Sequence, residues 1–210
     1  MINTAEIFPT LIASQMINIP DGDVTHLINK ALELQHKNEV SNNVKGWQCN
    51  TFSSLDSYIP QDDNDEKLLN VVNTTRELVH EFSLLFGCGN KKEVYKEEWY
   101  KKVYCVDAWF NVANSKDYQE YHYHPNSHIS AVFYLTVPKN SGDIVFRNPT
   151  LNMFPIPSDS NGCLYNAETY TVPIQEKLLI LFKSNLHHMV QQNMSANQRI
   201  SIAMNFRVER

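Results

Sequence analysis

The 210-residue sequence lacks the features that mark membrane proteins, secreted proteins and proteins that bind nucleic acid through their overall charge. No apolar run approaches the roughly 20 residues that span a bilayer. The start, MINTAEIFPTLIAS, has no basic segment of the kind that opens a signal peptide. The 18 basic residues are outnumbered by 23 acidic ones, which gives a net charge of −5 at pH 7. We therefore expect a cytoplasmic protein with no membrane contact and no general nucleic-acid binding.

Cysteine is scarce, and its spacing excludes two further classes. The four cysteines contain no C-x-x-C pair, so neither a zinc knuckle nor a disulfide framework is indicated; they are Cys49, Cys88, Cys105 and Cys163. Hydrophobic residues, in contrast, make up 42% of the chain. That share is enough to build a core and argues against disorder.

The distribution of apolar residues divides the chain into a helical part and a strand-rich part. Apolar residues recur at helical spacing over residues 21–40 and again over residues 65–86, where Gly87 is placed to end the helix. After residue 89, short runs rich in Val, Ile, Tyr, Phe and Thr alternate with turn residues. We predict strands at residues 103–112, 127–137, 143–147, 170–174, 177–182, 188–191 and 199–208.

Helices followed by many short strands predict an α+β fold, in which helices pack against an antiparallel sandwich or a double-sheet barrel. The turn-rich connector at residues 41–64 is too short to separate two stable domains. We therefore expect one domain over residues 1–210, with helical support from residues 1–90 and a core of strands from residues 91–210.

Five of the eight histidines fall in two clusters within the strand-rich part; they are His122, His124, His128, His187 and His188. We assign no role to the three histidines of the helical part. Residues two apart on a strand share a face, so His122 and His124 can offer two imidazoles to one metal ion. A third ligand must come from another strand, and either His187 or His188 can supply it.

A candidate anion receptor follows the second histidine cluster. Arg199 and Ser201 share one face of a predicted strand, while Ile200 and Ile202 pack on the other. A guanidinium beside a hydroxyl, both directed inward next to a metal, suits a small dicarboxylate.

Several segments occur in an order that resembles the Fe(II)/2-oxoglutarate-dependent oxygenases, and in particular the small oxygenases of that superfamily from bacteria and phages. The segments are H-x-H, V-F-Y-L, S-G-D-I-V-F-R-N-P, L-F-K-S-N-L-H-H-M-V and R-I-S-I-A-M-N-F, which lie within residues 109–206. The resemblance implies a double-stranded β-helix, or jelly roll, with supporting N-terminal helices.

The resemblance also implies a metal site for Fe(II). His122 matches the first ligand, His124 occupies the place of the usual carboxylate, and His188, followed two residues later by Val190, matches the distal ligand. An alternative register makes His124 the first ligand, with Asn126 or His128 near the second place.

Arg199 and Ser201 match the residues that bind the remote carboxylate of 2-oxoglutarate in this family, and Tyr134 resembles the strand tyrosine that donates to the same group. Asn111 lies on the preceding strand and can reach the co-substrate, the substrate or a local turn. The implied reaction uses O2 and converts 2-oxoglutarate to succinate and CO2, usually with hydroxylation of a second, unidentified substrate. Apolar residues would keep the pocket dry; they are Val132, Ile180 and Ala203.

Two other functions account for part of the pattern. A three-histidine cupin-type dioxygenase without co-substrate would explain His124 in place of a carboxylate. In a non-catalytic jelly-roll protein, structural or metal-binding, the histidines would hold a structural metal or nothing. A homodimer is compatible with the sequence, and the oligomeric state and the metal used in the cell stay open.

Overall fold

A computed structural model describes residues 9–37, 52–53, 65–87, 102–150 and 167–209 of the chain. In these ranges the helices are α1 (Asp21–Lys37) and α2 (Glu66–Leu84). The strands are β1 (Ile12–Met16), β2 (Phe52–Ser53), β3 (Val103–Ala113), β4 (Gln119–His122), β5 (Ile129–Thr136), β6 (Ile144–Arg147), β7 (Thr169–Val172), β8 (Leu178–Lys183), β9 (His188–Val190) and β10 (Arg199–Val208).

The strands form two antiparallel sheets. The larger sheet has the order β1-β8-β5-β10-β3-β2, and the smaller sheet has the order β4-β9-β6-β7. From β5 onward the chain passes repeatedly between the two sheets, which is typical of a jelly roll. Two helices and mostly antiparallel sheets confirm the predicted α+β fold and its double-stranded β-helix.

Alternation along the strands of the larger sheet produces two apolar layers. The side chains of one face pack against α1 and α2; they include Phe110, Phe133, Ile200, Ile202 and Phe206. On the other face, Tyr134, Ile180 and Phe182 meet Ile144 and Phe146 of the smaller sheet in a second cluster. The helices therefore cover one face of the larger sheet, and the interior of the barrel lies on the other.

The predicted elements agree closely with the observed ones. The second helix runs Glu66–Leu84, and Gly87 follows it at a φ of +74°, a conformation that glycine adopts without a steric penalty. Each predicted strand is present, and β1, β2 and β4 are additional strands. The sequence did not reveal β1 because its five residues, IASQM, do not alternate between apolar and polar side chains. Of the connector at residues 41–64, only β2 lies in the described ranges.

Neither of the two described helices is both long and apolar enough to cross a membrane. The two helices are instead joined to each other through one carboxylate. The side chain of Asp65 caps the N-terminus of α2 by accepting from the backbone N–H groups of Lys67 and Leu68. It also accepts from His26 Nε2 at 2.9 Å and from Lys30 Nζ at 3.0 Å, both on α1. Burial raises the pKa of the Asp65 carboxyl, but these hydrogen bonds outweigh it and lower the pKa to about 2.

We expect Asp65→Ala to lower the free energy of unfolding by about 1–2 kcal/mol, because α2 loses its cap and α1 loses its contact. Asp65→Asn keeps a capping oxygen but loses the negative charge, so it should cost less. A carboxylate with a lowered pKa stabilises the fold above its unfolded value of 3.8 and loses that effect as the pH falls towards about 2.

Urea unfolding of the wild type and both variants at several pH values checks this prediction. The gap between the wild type and Asp65→Asn should be full at pH 7 and shrink below pH 4. A gap that is unchanged at the lowest pH would contradict the assigned role of the charge.

Candidate metal centre and carboxylate pocket

Three imidazoles from two strands and the adjoining turn meet at one end of the barrel. His122 on β4 lies directly opposite His188 on β9 in the strand pairing, and His124 follows β4 by two residues. The ring centroids are 4.2 Å apart for His122 and His188, 5.2 Å for His122 and His124, and 5.1 Å for His124 and His188. Across the described ranges, each of the three offers one nitrogen within 4.8 Å of the others, which is close enough to share a metal ion.

Backbone carbonyls orient two of the rings. Nδ1 of His122 donates to the carbonyl of Glu120 at 2.6 Å, and Nδ1 of His188 donates to the carbonyl of Leu186 at 2.9 Å. A carbonyl oxygen only accepts, so each Nδ1 must carry the proton. In the neutral ring the lone pair is then on Nε2, which is the atom left to bind a metal.

Burial keeps the three imidazoles neutral. It lowers the pKa of His122, and it lowers the pKa of His124 to about 3, with the neighbouring ring of His122 adding to the effect. Burial also places the pKa of His188 well below its usual range, again assisted by the rings of His122 and His124. Neutral imidazole is the form that coordinates metals, so the cluster is in its ligating state at pH 7.

A buried polar network fixes the backbone beside His124. The N–H of His124 donates to the carbonyl of Ser184 at 2.8 Å. The hydroxyls of Ser184 and Ser130 are 2.9 Å apart, and Ser130 Oγ donates to Asn205 Oδ1 at 2.7 Å. Because Ser130 has a single hydrogen to donate, the Ser184 hydroxyl must donate to Ser130. No sequence pattern indicated this network, since its members come from separate segments without a common spacing.

The other histidines of the two clusters point away from this centre. His187 is exposed, and its ring lies 4.9 Å from that of Tyr123. His128 is also exposed, and its Nδ1 accepts from the backbone N–H of Val208 at 3.0 Å. Among the described residues, His128 of the alternative register therefore does not join the three imidazoles.

The predicted carboxylate receptor lies inside the same barrel. Ser201 on β10 pairs with Asn111 on β3 and with Tyr134 on β5, so these three side chains form one row on the interior face. Arg199 lies two residues before Ser201 on the same face of β10. All four residues are buried, and Arg199 is only 4% exposed. As predicted, Ile200 and Ile202 pack on the opposite face, against the helix layer.

Backbone carbonyls surround the guanidinium of Arg199. Its Nη1 donates to the carbonyl of Ser141, to that of Gly142 at 3.2 Å and to that of Gln191 at 3.3 Å. Tyr134 Oη is buried without a hydrogen-bond partner among the described residues. Burial raises the pKa of Tyr134, and Arg199 partly opposes this effect, so the phenol stays protonated as a hydrogen-bond donor. The pocket thus combines a fixed positive charge with a donor that lacks an acceptor.

A row of apolar side chains lies between the three imidazoles and the pocket of Arg199. Ala203, Val132 and Ile180 lie side by side on β10, β5 and β8. Trp109 pairs with Ala203, and its ring lies 5.5 Å from that of His124. Ile180 is fully buried and Val132 half-buried, so this part of the interior offers water few partners.

One protein family matches part of the chain: residues 107–205 match the family described as "Putative 2OG-Fe(II) oxygenase". No curated protein sequence is significantly similar to the chain. The seven candidate site residues lie within the matched segment; they are Asn111, His122, His124, Tyr134, His188, Arg199 and Ser201.

Solved structures of other proteins share the fold. The viral collagen prolyl hydroxylase of Paramecium Bursaria Chlorella virus-1, solved with 2-oxoglutarate, is 14% identical with a TM-score of 0.58, and the match covers 94% of this chain and 96% of that one. A prolyl-4-hydroxylase of Pseudomonas putida is 14% identical with a TM-score of 0.59, covering 96% and 94%. The epimerase SnoN from nogalamycin biosynthesis is 13% identical with a TM-score of 0.60, covering 95% and 79%.

The family match, the jelly-roll fold and the three converging imidazoles agree with one another. Residues 107–205 of this chain are thus similar to the 2OG-Fe(II) oxygenase family in sequence, and the fold is that of solved oxygenases.

Proposed function

We propose that the protein is a non-haem Fe(II)- and 2-oxoglutarate-dependent dioxygenase whose metal is bound by His122, His124 and His188. One observation carries the proposal. Three buried, neutral imidazoles meet at one end of a barrel whose interior also holds a buried arginine and a tyrosine hydroxyl without a partner among the described residues. Removing imidazoles, a guanidinium and a phenol hydroxyl from water costs free energy, so the stability of the fold does not explain either feature.

The donor set fits Fe(II). Imidazole is a good ligand for this ion, and three ligands from two neighbouring strands leave coordination positions open for a chelating co-substrate and O2. With His124 in the place of a carboxylate, the protein contributes no negative charge to the metal. A dianionic co-substrate then supplies the charge that balances Fe(II). When bound, the metal would bring 2-oxoglutarate and O2 together, so that one oxygen atom of O2 enters succinate with loss of CO2 and the other hydroxylates the second substrate.

The residues of the pocket suit the other end of the co-substrate. In this proposal Arg199 pairs with the remote carboxylate of 2-oxoglutarate, while Ser201 and Tyr134 donate hydrogen bonds to it. Asn111 shares the row of Ser201 and can donate to the co-substrate or the substrate. The carbonyl contacts of Arg199 hold its guanidinium in one orientation before the ligand arrives, which reduces the entropy lost on binding.

The apolar row of Ala203, Val132 and Ile180 would exclude water from the space between metal and guanidinium. Exclusion of water strengthens the ion pair of Arg199 with a carboxylate and limits side reactions of the oxidant. The primary substrate stays open, because prolyl hydroxylases and an epimerase share this fold and fold alone does not determine the substrate.

We also propose that residues 1–210 act as one domain in the cytoplasm and that the protein has no general affinity for nucleic acid. The net charge of −5 supports the last point, since nothing in the composition favours phosphate backbones. The homodimer stays a prediction, which light scattering of the purified protein would test.

A three-histidine dioxygenase that oxidises thiols without co-substrate is the second candidate. Its one favourable observation is that the described metal cluster contains imidazoles and no carboxylate. Such an enzyme would bind Fe(II) and consume O2 with a thiol substrate, but it would gain nothing from 2-oxoglutarate. The two candidates therefore separate in a binding experiment with the co-substrate alone.

The metal ligands are tested by His188→Ala with His187→Ala as the matched control. We expect His188→Ala to weaken Fe(II) binding by more than the roughly 10- to 100-fold that substitutions outside the ligand shell cost. His187 is exposed and contacts Tyr123, so His187→Ala should bind the metal like the wild type. Anaerobic calorimetric titration with Fe(II) measures both, and equal affinities of the two variants would contradict the assignment.

The co-substrate is tested by anaerobic titration with Fe(II) and 2-oxoglutarate, which should give the visible charge-transfer band of the chelate. His124→Ala should abolish the band, and a band that survives it would show that His124 is not a ligand. In air, the wild-type protein should form succinate from 2-oxoglutarate. Absence of both the band and turnover under every metal tried would exclude the proposed function.

Arg199→Leu tests the receptor, and Arg207→Leu on the same strand serves as its control. Removing one partner of a buried charge pair costs about 2–5 kcal/mol, which corresponds to about 30-fold or more in affinity for 2-oxoglutarate. Arg207 is exposed and donates from Nε to the carbonyl of Asn126 at 2.7 Å, so its loss should leave the affinity unchanged. Fe(II) binding should be retained in both variants.

A further inference from the structure

The turn between β5 and β6 forms one wall of the arginine pocket. Within it, the N–H of Ser141 donates to the carbonyl of Pro138 at 3.1 Å, which closes the turn. The carbonyls of Ser141 and Gly142 then both accept from Nη1 of Arg199. The turn is therefore in direct contact with the side chain that we assign to the remote carboxylate.

Gly142 allows the turn to approach the end of β9 and the guanidinium of Arg199 closely. Its φ is +82°, in the left-handed region that favours glycine. A Cβ at this position would lie 2.6 Å from the carbonyl oxygen of Gln191 and 2.8 Å from that of Gln192. The carbonyl of Gln191 is also one of the three that accept from Arg199. The absence of a side chain at residue 142 therefore lets the turn, the end of β9 and the guanidinium meet.

The hydroxyl of Ser141 has no evident structural use. The residue is 2% exposed, and in the described part of the chain its Oγ makes no hydrogen bond. A buried hydroxyl without a partner costs free energy, so its presence requires an explanation. A ligand that supplies an acceptor would provide one.

The arginine pocket contains a second buried hydroxyl, that of Tyr134. Tyr134 Oη is buried and also without a partner among the described residues. The charges that act on this phenol are those of Arg199 and Asp143, and Asp143 lies two residues after Ser141. Two buried hydroxyls without a partner among the described residues therefore belong to neighbours of one buried guanidinium: Ser141 contacts it through its backbone carbonyl, and the phenol of Tyr134 lies within reach of its charge. A carboxylate, which accepts several hydrogen bonds and carries the opposite charge, satisfies both hydroxyls and pairs with the guanidinium.

We propose that Ser141 is a binding residue for the co-substrate, whose Oγ donates a hydrogen bond to the remote carboxylate beside Arg199 and Tyr134. The inference rests on the proposed function and extends it to a residue outside the strands that carry the other donors. No covalent step is involved: the carboxylate accepts, and the serine proton stays on Oγ. Gly142 acts as a positioning residue, because the close approach it permits places Ser141 next to the guanidinium.

Ser141→Ala tests the inference with two ligands that share the metal-chelating group. 2-Oxoglutarate and pyruvate are both 2-oxo acids, but only 2-oxoglutarate has a remote carboxylate. A hydrogen bond to a charged group accounts for about a 10- to 100-fold difference in affinity, so Ser141→Ala should weaken 2-oxoglutarate binding by about that factor. Pyruvate binding should not change. Calorimetry on the Mn(II)-loaded protein measures both affinities without turnover.

Two further variants separate a binding role from a structural one. Ser83 is an equally buried serine on α2, whose Oγ donates to the carbonyl of His80 at 2.7 Å, so Ser83→Ala should leave both affinities unchanged. Ser141→Thr keeps a hydroxyl and should recover much of the affinity for 2-oxoglutarate that Ser141→Ala loses.

The outcomes distinguish the inference from the proposed function. If the wild-type protein binds 2-oxoglutarate and Ser141→Ala binds it equally well, the inference is wrong and the proposed function stands. If Ser141→Ala weakens 2-oxoglutarate and pyruvate alike, Ser141 maintains the structure of the pocket and the inference is again wrong. If the wild-type protein binds neither 2-oxo acid, the proposed function itself fails.

Discussion

The site depends on the register between β4 and β9, in which His122 lies opposite His188. Successive residues of a strand face opposite sides, so a slip of one residue would turn His188 outward and bring His187 inward. Packing opposes such a slip. The ring of His188 lies 4.6 Å from that of Phe182 and 6.0 Å from that of Phe146, and β9 is also paired with β6 on its other side. The cluster of three imidazoles, which comes from separate segments, is thus held by ordinary aromatic packing and strand pairing.

The two faces of the larger sheet have different roles: one packs against the helices, and the other lines the barrel interior. On β10, Ile200 and Ile202 join the apolar layer beneath the helices, whereas Arg199 and Ser201 face the barrel interior. The helix-side layer supplies the hydrophobic burial that favours folding. The interior can therefore hold an arginine, several hydroxyls and three neutral imidazoles, whose desolvation would otherwise weigh against the fold.

Sequence reasoning succeeded where the relevant signal is periodic or local. Alternation in R-I-S-I-A-M-N-F predicted both faces of β10, and the H-x-H spacing predicted that two imidazoles share one space. The choice between His187 and His188 could not be made from spacing alone, because it depends on the register with a distant strand. The resemblance to a known family favoured His188, and the geometry places that ring inside.

Contacts between distant segments could not be predicted in the same way. The bond from Ser130 to Asn205 and the carbonyls around Arg199 join residues that share no pattern, and they depend on how the turns meet. β1 and the role of Gly142 could not be predicted from a sequence pattern either. A glycine in S-G-D indicates a turn, but only the fold shows that a Cβ there would collide with the carbonyl of Gln191.

The most direct measurement is a crystal structure of the protein grown without oxygen in the presence of Fe(II) and 2-oxoglutarate. We predict one iron coordinated by Nε2 of His122 and His188 and by a ring nitrogen of His124, and chelated by the 2-oxo acid. The remote carboxylate should lie against Arg199 and Tyr134. Iron bound elsewhere, or a co-substrate whose remote carboxylate lies away from Arg199, would contradict this prediction.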